Sequence, residues 1–333
     1  MVILGAGASF DSAHERPPST FYDLSDGRLP LANQLFEQRY AAFIKRHPAI
    51  VPAISRLREG RPVEPELLKI QEEAKTNPNR AAQVLGIRFY LRDLITSSTH
   101  GWLQATHRVT NYARLVNDIE AWPLASQRRR SQITYVPFNY DTLLEDGFET
   151  ALGIRFPTMA SYVEQQHATI LKPHGSINWF HPLDGTLQPS HADFLRKACQ
   201  LKPPELIVSH EERDHPMASH PPVPAIAIPV DQKSEFEFPK EHSNQLRTRL
   251  WGVDKILIIG WRGTEKNFTD LLREYVGKRK VAFHIVAAGE ANAKATWQNL
   301  GISPTEAIKV ECSTLPGFSD FITSGGLQAF LDQ

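Results

Sequence analysis

The chain begins with a short apolar strand that runs directly into a glycine-rich turn. Val2, Ile3 and Leu4 are followed by Gly-Ala-Gly-Ala-Ser at positions 5–9. Glycine lets a backbone approach a phosphate closely, because it has no Cβ and because the amide groups of such a turn can face an anion. The pattern favours a parallel α/β sheet that binds a nucleotide. It is also typical of a simple tight turn, and Phe10 replaces the third glycine of the dinucleotide fingerprint.

Two further segments place polar side chains where predicted strands end. One apolar run ends at Asn139, Tyr140 and Asp141, and a second run delivers His174 in front of a glycine. The carboxyl ends of strands in an open α/β sheet face the ligand crevice, so we expect these side chains to meet there. The alternative for Asn139 and Asp141 is that they only cap the helix predicted to follow.

The rest of the chain predicts a Rossmann-like, doubly wound parallel sheet in a single domain, 1–333. Apolar runs at 225–229, 255–260 and 281–286 alternate with helical stretches at 240–252, 267–277 and 291–299, and a last helix is expected at 317–331. The first strand is expected to lead into a loop through residue 29. Residues 31–130 have helical periodicity and predict a helical insertion. Residues 175–225 are predicted to form an irregular lobe, since seven prolines lie between 203 and 229.

Composition excludes several classes of protein. The 37 basic and 37 acidic side chains cancel, so no global charge draws the chain toward nucleic acid, and we expect no direct nucleic-acid binding. Two cysteines argue against a disulfide framework and agree with a reducing cytosol. The sequence shows neither a signal-peptide pattern nor an apolar run of membrane-spanning length. We therefore expect a cytoplasmic protein without a membrane partner.

The lobe at 175–225 contains several potential metal ligands: His181, His191, His210, His215, His220, Cys199, Glu211 and Asp214. The five-residue spacing of its histidines fits neither a zinc ribbon nor one face of a helix, so we expect no metal. The run Arg128–Arg130 predicts a solvated basic turn near a helix end rather than a nucleic-acid contact.

In their order along the chain, the polar and glycine-rich segments resemble the signature of the sirtuin superfamily: residues 5–9, 138–141 and 173–175. A fourth segment, residues 256–264, contains Gly260 and Trp261 and resembles the strand and turn that close the NAD site in that family. The similarity spans residues 2 to about 290. The chain lacks the two Cys-x-x-Cys pairs of the zinc ribbon of classical deacylases, and Pro30 resembles the divergent bacterial branch.

The resemblance to that branch implies hydrolysis of NAD to nicotinamide and ADP-ribose, by a regulated effector of bacterial antiviral defence that needs no metal. Nicotinamide leaves as a neutral molecule, so the site must stabilise an oxocarbenium-like ribose and position a water but needs no strong general acid. We assign the water and the ribose to Asn139 and the role of base to His174. The family positions further imply a set of substrate-binding residues: Gly5, Ala6, Gly7, Ala8, Ser9, Tyr140, Asp141, Gly260, Trp261, Ala288 and Gly289.

Other functions share this pocket. It could transfer ADP-ribose or remove acyl groups from a protein, although the missing zinc module weighs against this alternative. It could also bind NAD or ADP-ribose as a sensor subunit without turnover, although a sensor needs neither a positioned water nor a base. A dehydrogenase is disfavoured, because the expected acidic residue would precede any second strand. The resemblance further implies a homo-oligomer or a complex with a separate activating or sensor protein.

Overall fold

A computed structural model describes residues 1–13, 28–58, 63–125, 132–166, 168–182, 206–209, 222–229, 236–276 and 279–333. Its strands are β1 (Val2–Leu4), β2 (Ile133–Pro137), β3 (Ala168–Ile170), β4 (Gly175–His181), β5 (Ile207–Val208), β6 (Val223–Ile226), β7 (Lys255–Ile259), β8 (Val281–Val286) and β9 (Ile308–Cys312). Its α-helices are α1 (Ala6–Phe10), α2 (Ala41–Arg46), α3 (Val51–Arg58), α4 (Val63–Glu73), α5 (Pro78–Ala105), α6 (Asn111–Ala125), α7 (Leu143–Leu152), α8 (Ser161–Glu164), α9 (Lys240–Gly252), α10 (Lys266–Val276), α11 (Glu290–Leu300), α12 (Gly317–Thr323) and α13 (Gly326–Asp332).

Six of the described strands form one parallel sheet in the order β3-β2-β1-β7-β8-β9. β1 lies in the middle, where Val2 is in register with Tyr135 of β2 and with Leu257 of β7. Counted within this sheet alone, the order is 3-2-1-4-5-6, and the direction of winding reverses between β1 and β7. The α/β class is confirmed, and the strand order is consistent with a Rossmann-like fold. Ligands of such sheets bind outside the carboxyl ends of the strands at the point of reversal.

The central strands are largely apolar because both faces of the sheet are covered. Every residue of β1 is buried, as are the last four residues of β2 and of β7. Strands buried on both faces carry continuous apolar runs rather than an alternating pattern. The edge strand β9 alternates buried and more exposed residues, so no continuous run marks it in the sequence. The three predicted helices of this half are present as α9, α10 and α11, within one residue at each end.

Residues 225–229 were expected to form a strand of the parallel sheet, and this prediction was wrong. β6 instead pairs antiparallel with β4, which also pairs antiparallel with β5, in a small second sheet. A short apolar run indicates burial but carries no information about the strand it pairs with. Parts of the predicted lobe and basic turn lie outside the described residues: His191, Cys199, His210, Glu211, Asp214, His215, His220 and Arg128–Arg130.

The described residues between 31 and 125 are largely helical, with short 3-10 helices at Ala32–Gln34, Gln38–Tyr40 and Pro48–Ile50 among α2 to α6. Asn77 caps the long helix α5 by accepting hydrogen bonds from the backbone nitrogens of Asn79 and Arg80. This part of the chain has its own apolar core, which includes Ile177 and Ile226 of the small sheet. No helix in the described residues is long and apolar enough to cross a membrane.

The helix expected at 317–331 is two helices. α12 ends at Thr323, and α13 begins at Gly326. Gly325 between them has a φ of 76°, a left-handed conformation that favours glycine and interrupts an α-helix. The apolar periodicity continues across this break, which explains why one helix was expected.

His242 of α9 makes the stability of the fold sensitive to acid. Its Nε2 donates to the carbonyl of Met159 at 3.1 Å, and its ring contacts the buried rings of Tyr162 and Trp179. Burial lowers the pKa of His242 from 6.5 to about 4. Protonation is thus disfavoured in the folded state relative to the unfolded state.

We expect the free energy of unfolding to decrease as the pH falls from about 6.5 to about 4. In this range His242 is protonated in the unfolded chain but stays neutral in the folded protein. Between pH 7 and pH 5 the protonation of this one group lowers the free energy of unfolding by about 2 kcal/mol. Urea unfolding of the wild type and of His242→Gln, which keeps a donor for Met159, measures this contribution. Equal losses in both proteins over that interval would show that His242 is not its source.

Candidate active site

Four polar side chains meet at the carboxyl ends of β1 and β2. Asn139 Nδ2 lies 2.6 Å from Ser9 Oγ and 3.0 Å from the hydroxyl oxygen of Tyr112. Ser9 Oγ lies 2.7 Å from Asp141 Oδ2 and 2.9 Å from the Tyr112 hydroxyl. All four residues are buried, and they come from α1, α6 and the loop that follows β2. We call this group, Ser9, Tyr112, Asn139 and Asp141, the Asn139 cluster.

Asp141 fixes the direction of the hydrogen bonds in the Asn139 cluster. Its Oδ1 accepts from the backbone nitrogen of Leu143, and its Oδ2 accepts the hydroxyl hydrogen of Ser9. A serine hydroxyl has one hydrogen, so Ser9 accepts from both Asn139 and Tyr112. The Tyr112 oxygen in turn accepts the second hydrogen of Asn139 Nδ2. The nitrogen of the Asn139 carboxamide is therefore fully used within the cluster.

The oxygen of the same carboxamide remains available. Asn139 Oδ1 is buried and has no hydrogen-bond partner among the described residues. A buried acceptor without a partner is costly, and such groups in folded proteins are often explained by a water or ligand. The hydrogen bonds of Nδ2 therefore set the direction in which the acceptor Oδ1 points.

His174 is held close to Asn139 by a hydrogen bond to the carbonyl of Phe138. Its Nδ1 lies 3.1 Å from the Phe138 carbonyl oxygen, and its ring meets the Phe138 ring edge to face at 5.0 Å. A carbonyl oxygen only accepts, so Nδ1 carries the hydrogen and the lone pair of the neutral ring lies on Nε2. Because Phe138 immediately precedes Asn139, the structure brings both predicted catalytic residues to neighbouring strand ends.

A buried ion pair, Lys172 and Glu145, holds Asp141 through its backbone carbonyl. Lys172 is fully buried, and its Nζ donates to the carbonyl oxygen of Asp141 at 2.5 Å and to Glu145 Oε1 at 2.8 Å. Burial raises the pKa of the Asp141 carboxyl, and the charge of Lys172 opposes that rise. The helix-capping role considered for Asp141 is present, since it accepts from the first residue of α7. Its contact with a substrate stays a prediction.

The glycines after β1 are required by close packing of the backbone. Gly5 N donates to the carbonyl of Ile259 and Gly7 N to that of Gly260, each at 3.0 Å, so both amides are already used. A Cβ on Gly5 would lie 2.5 Å from the Gly260 oxygen. The loop expected after β1 was wrong for residues 6–10, because these residues form the short helix α1, which packs against Gly260 at the end of β7.

The other substrate-binding residues that the resemblance implies lie on α1, next to the end of β7 and at the end of β8. Ala6 is exposed and Ala8 is buried on α1. Trp261 stacks on Phe138 with ring centroids 4.8 Å apart, so it supports the strand end that carries Asn139. Ala288 is exposed and Gly289 half-buried, at the carboxyl end of β8 where α11 begins. Both sit at the edge of the sheet where a ligand is expected.

The hydroxyl and the backbone oxygen of Tyr140 form their hydrogen bonds outside the Asn139 cluster. Its hydroxyl donates to the carbonyl of Ala227 at 2.8 Å, and its backbone oxygen accepts from Ile177 N at 2.9 Å. Its ring still lies 6.0 Å from that of His174. Tyr140 therefore ties the loop after β2 to the small antiparallel sheet.

Three residues that complete this site have no role assigned from the sequence. Tyr112 lies within the predicted helical insertion, where nothing in the local pattern distinguishes it from a core aromatic. Lys172 stands in the segment before His174, and Glu145 on the helix after Asp141, but their pairing required the fold. A lysine at the end of an apolar run, two residues before the predicted base, is the sequence signal that could have been used.

A cavity of about 290 Å³ is lined in part by residues of α7. Its lining includes Glu145, Asp146 and Asn178 together with arginines of α5 and the turn after it, but no member of the Asn139 cluster. The described residues contain no group of three or more His, Cys, Asp and Glu side chains placed to hold a metal ion.

No protein-family model matches the chain, and no curated protein matches it in sequence. The relation to the sirtuin superfamily stays a prediction that rests on the motifs quoted above.

We expect Gly260→Ala to destabilise the fold by more than about 3 kcal/mol, because φ at Gly260 is 62° and a Cβ there would lie 2.2 Å from the nitrogen of Ala8. Gly252→Ala is the matched control, since a Cβ at that position, the last residue of α9, meets nothing within 4 Å. It should change the free energy of unfolding by no more than about 1 kcal/mol. Chemical denaturation of both variants makes the comparison, and similar values would contradict the packing argument.

Proposed function

We propose that this chain hydrolyses NAD to nicotinamide and ADP-ribose. The observation that carries the proposal is the carboxamide of Asn139: its nitrogen is held by Ser9 and Tyr112, and its buried oxygen has no partner among the described residues. An acceptor oriented in this way suits a water that must be aimed, or a ribose hydroxyl that must be held.

The position of the cluster agrees with a nucleotide substrate. It lies at the carboxyl ends of β1 and β2, beside the reversal of winding between β1 and β7. Dinucleotides bind at this place in doubly wound sheets. The α11 helix begins at the same edge, so the positive end of its dipole can favour the pyrophosphate. Because the amides of Gly5 and Gly7 are used by β7, this helix is the better source of phosphate donors.

The chemistry follows from the leaving group. When the bond between the ribose C1′ and the nicotinamide nitrogen breaks, its electron pair neutralises the pyridinium, so no proton has to be supplied. The oxygen of a water then bonds to C1′, and one of its protons must be removed. His174 suits this step, because its Nδ1 hydrogen is committed to the Phe138 carbonyl and its lone pair lies on Nε2.

The developing positive charge on the ribose needs a negative environment. Asp141 supplies it at short range, where its carboxylate accepts from Ser9, and the neighbouring Asn139 oxygen adds a dipole. Lys172, which is paired with Glu145, holds Asp141 in place through its backbone carbonyl. Such fixed charges stabilise a transition state because they do not reorganise when charge appears.

We further propose, from the resemblance, that the enzyme is a regulated effector that depletes NAD in bacterial antiviral defence. In that role it acts as a homo-oligomer or with a separate activating protein. No metal is needed for the steps above.

We expect Asn139→Ala to lower the rate of nicotinamide release by about 100-fold or more, and His174→Ala by about 100- to 10,000-fold. The assay follows nicotinamide and ADP-ribose by chromatography after incubation with NAD. Asn117→Ala removes the same side chain from the exposed surface of α6 and should keep full activity. Circular dichroism melting verifies that each variant is folded.

Turnover at the wild-type rate in both site variants would reject the assignment of residues. Binding of NAD by the wild type in a calorimeter, with no nicotinamide released even in lysate of infected cells, would favour the sensor instead. Formation of ADP-ribosylated protein in place of free ADP-ribose would favour a transferase.

A further inference from the structure

We infer that Tyr112 is a positioning residue: its hydroxyl sets the orientation of the Asn139 carboxamide and so leaves Oδ1 for the reacting water. The inference rests on the proposed function for its kinetic effect. The Tyr112 oxygen lies 3.0 Å from Asn139 Nδ2 and 2.9 Å from Ser9 Oγ, which makes it the third corner of the hydrogen-bonded triangle.

Tyr112 is needed because one hydrogen bond does not fix an amide. The last torsion of an asparagine side chain is broad and nearly two-fold, so a single bond from Nδ2 to Ser9 would still let the group turn. A second bond from the same nitrogen defines the plane of the carboxamide. Since both hydrogens of Nδ2 then have acceptors, exchange of the nitrogen and the oxygen would cost both bonds.

Tyr112 is itself held firmly. It is 1% exposed, and its ring meets Phe318 of α12 edge to face at 5.5 Å. The preceding residue, Asn111, donates from Nδ2 to the carbonyl of Asp11 and to Ser319 Oγ, each at 2.9 Å. The start of α6 is therefore tied both to the end of α1 and to α12, so the hydroxyl reaches Asn139 from a fixed base.

The same burial excludes an acid–base role for this tyrosine. Burial and the nearby charge of Asp141 raise the pKa of Tyr112 well above 10. The hydroxyl therefore keeps its hydrogen at neutral pH, and that hydrogen is donated to Ser9. Tyr112 therefore acts through Asn139 and does not accept a proton from the water.

The test compares Tyr112→Phe with Tyr135→Phe. Tyr135 is a matched control, because it is also fully buried, lies on β2 four residues before Asn139, and has a hydroxyl without a partner among the described residues. We expect Tyr112→Phe to lower kcat for NAD hydrolysis by ten- to a hundredfold while KM changes less than twofold. Tyr135→Phe should leave both constants unchanged. A role in folding alone would lower the melting temperature and leave the kcat of the folded fraction unaltered.

A second measurement does not depend on turnover. Crystal structures of the wild type and of Tyr112→Phe report the Asn139 side chain directly, and we expect it turned or in two orientations in the variant. An unchanged Asn139 in that variant would overturn the inference, whatever the kinetics. If the wild type neither binds nor hydrolyses NAD, the proposed function fails, and the crystal structures still decide whether Tyr112 orients Asn139.

A third variant separates the two hydrogen bonds of the Tyr112 hydroxyl. 4-Aminophenylalanine at position 112 returns a donor for Ser9, but the lone pair of its nitrogen is delocalised into the ring and is a poor acceptor for Asn139 Nδ2. We expect this variant to be more stable than Tyr112→Phe while kcat stays low and Asn139 keeps the orientations seen in Tyr112→Phe. This variant also serves if phenylalanine at this position prevents folding. Recovery of the wild-type kcat and of the single Asn139 orientation by this donor would count against the inference.

Discussion

The hydrogen bond from Ser9 to Asp141 is the interaction on which the site depends. It joins α1 to the loop after β2 at 2.7 Å, across 132 residues of sequence. Because it uses the hydroxyl hydrogen of Ser9, it determines that Asn139 donates to Ser9 and that Tyr112 does as well. Without a carboxylate at position 141, the Ser9 hydrogen would be free to point at Asn139, and the amide oxygen would be drawn into the cluster. The chemistry proposed for Asn139 is thus set by a residue that need not touch the water.

Much of the fold could be predicted from the sequence because its main strands are buried on both faces. Continuous apolar runs identified β2, β7 and β8, and the polar residues after β2 indicated where that strand ends. The placement of Asn139 and His174 at neighbouring strand ends followed from the parallel arrangement alone. Their roles in catalysis remain predictions, because geometry shows what a group can do and not which substrate it meets.

The remainder depended on contacts between distant residues. The pairing of β6 with β4 and the half-exposed edge strand β9 are decided by neighbours that no local pattern reveals. Tyr112 looks like an ordinary aromatic of an amphipathic helix until α6 is packed against the loop after α1. The buried pair Lys172–Glu145 is similar, since each residue is common on its own element and informative only beside the other. Sequence patterns therefore indicate which residues are buried but not which buried residues touch.

The contact between Gly5, Gly7 and Gly260 changes how a glycine-rich signature should be interpreted. These residues let two segments of main chain meet where a single methyl group would overlap another backbone atom. A chain that had lost all activity would still need them in order to join β1 to β7. The glycines thus record the architecture, whereas Ser9, Asn139 and His174 carry only the chemistry that we propose. Descendants of this protein that drift toward a purely structural role should keep the former and change the latter.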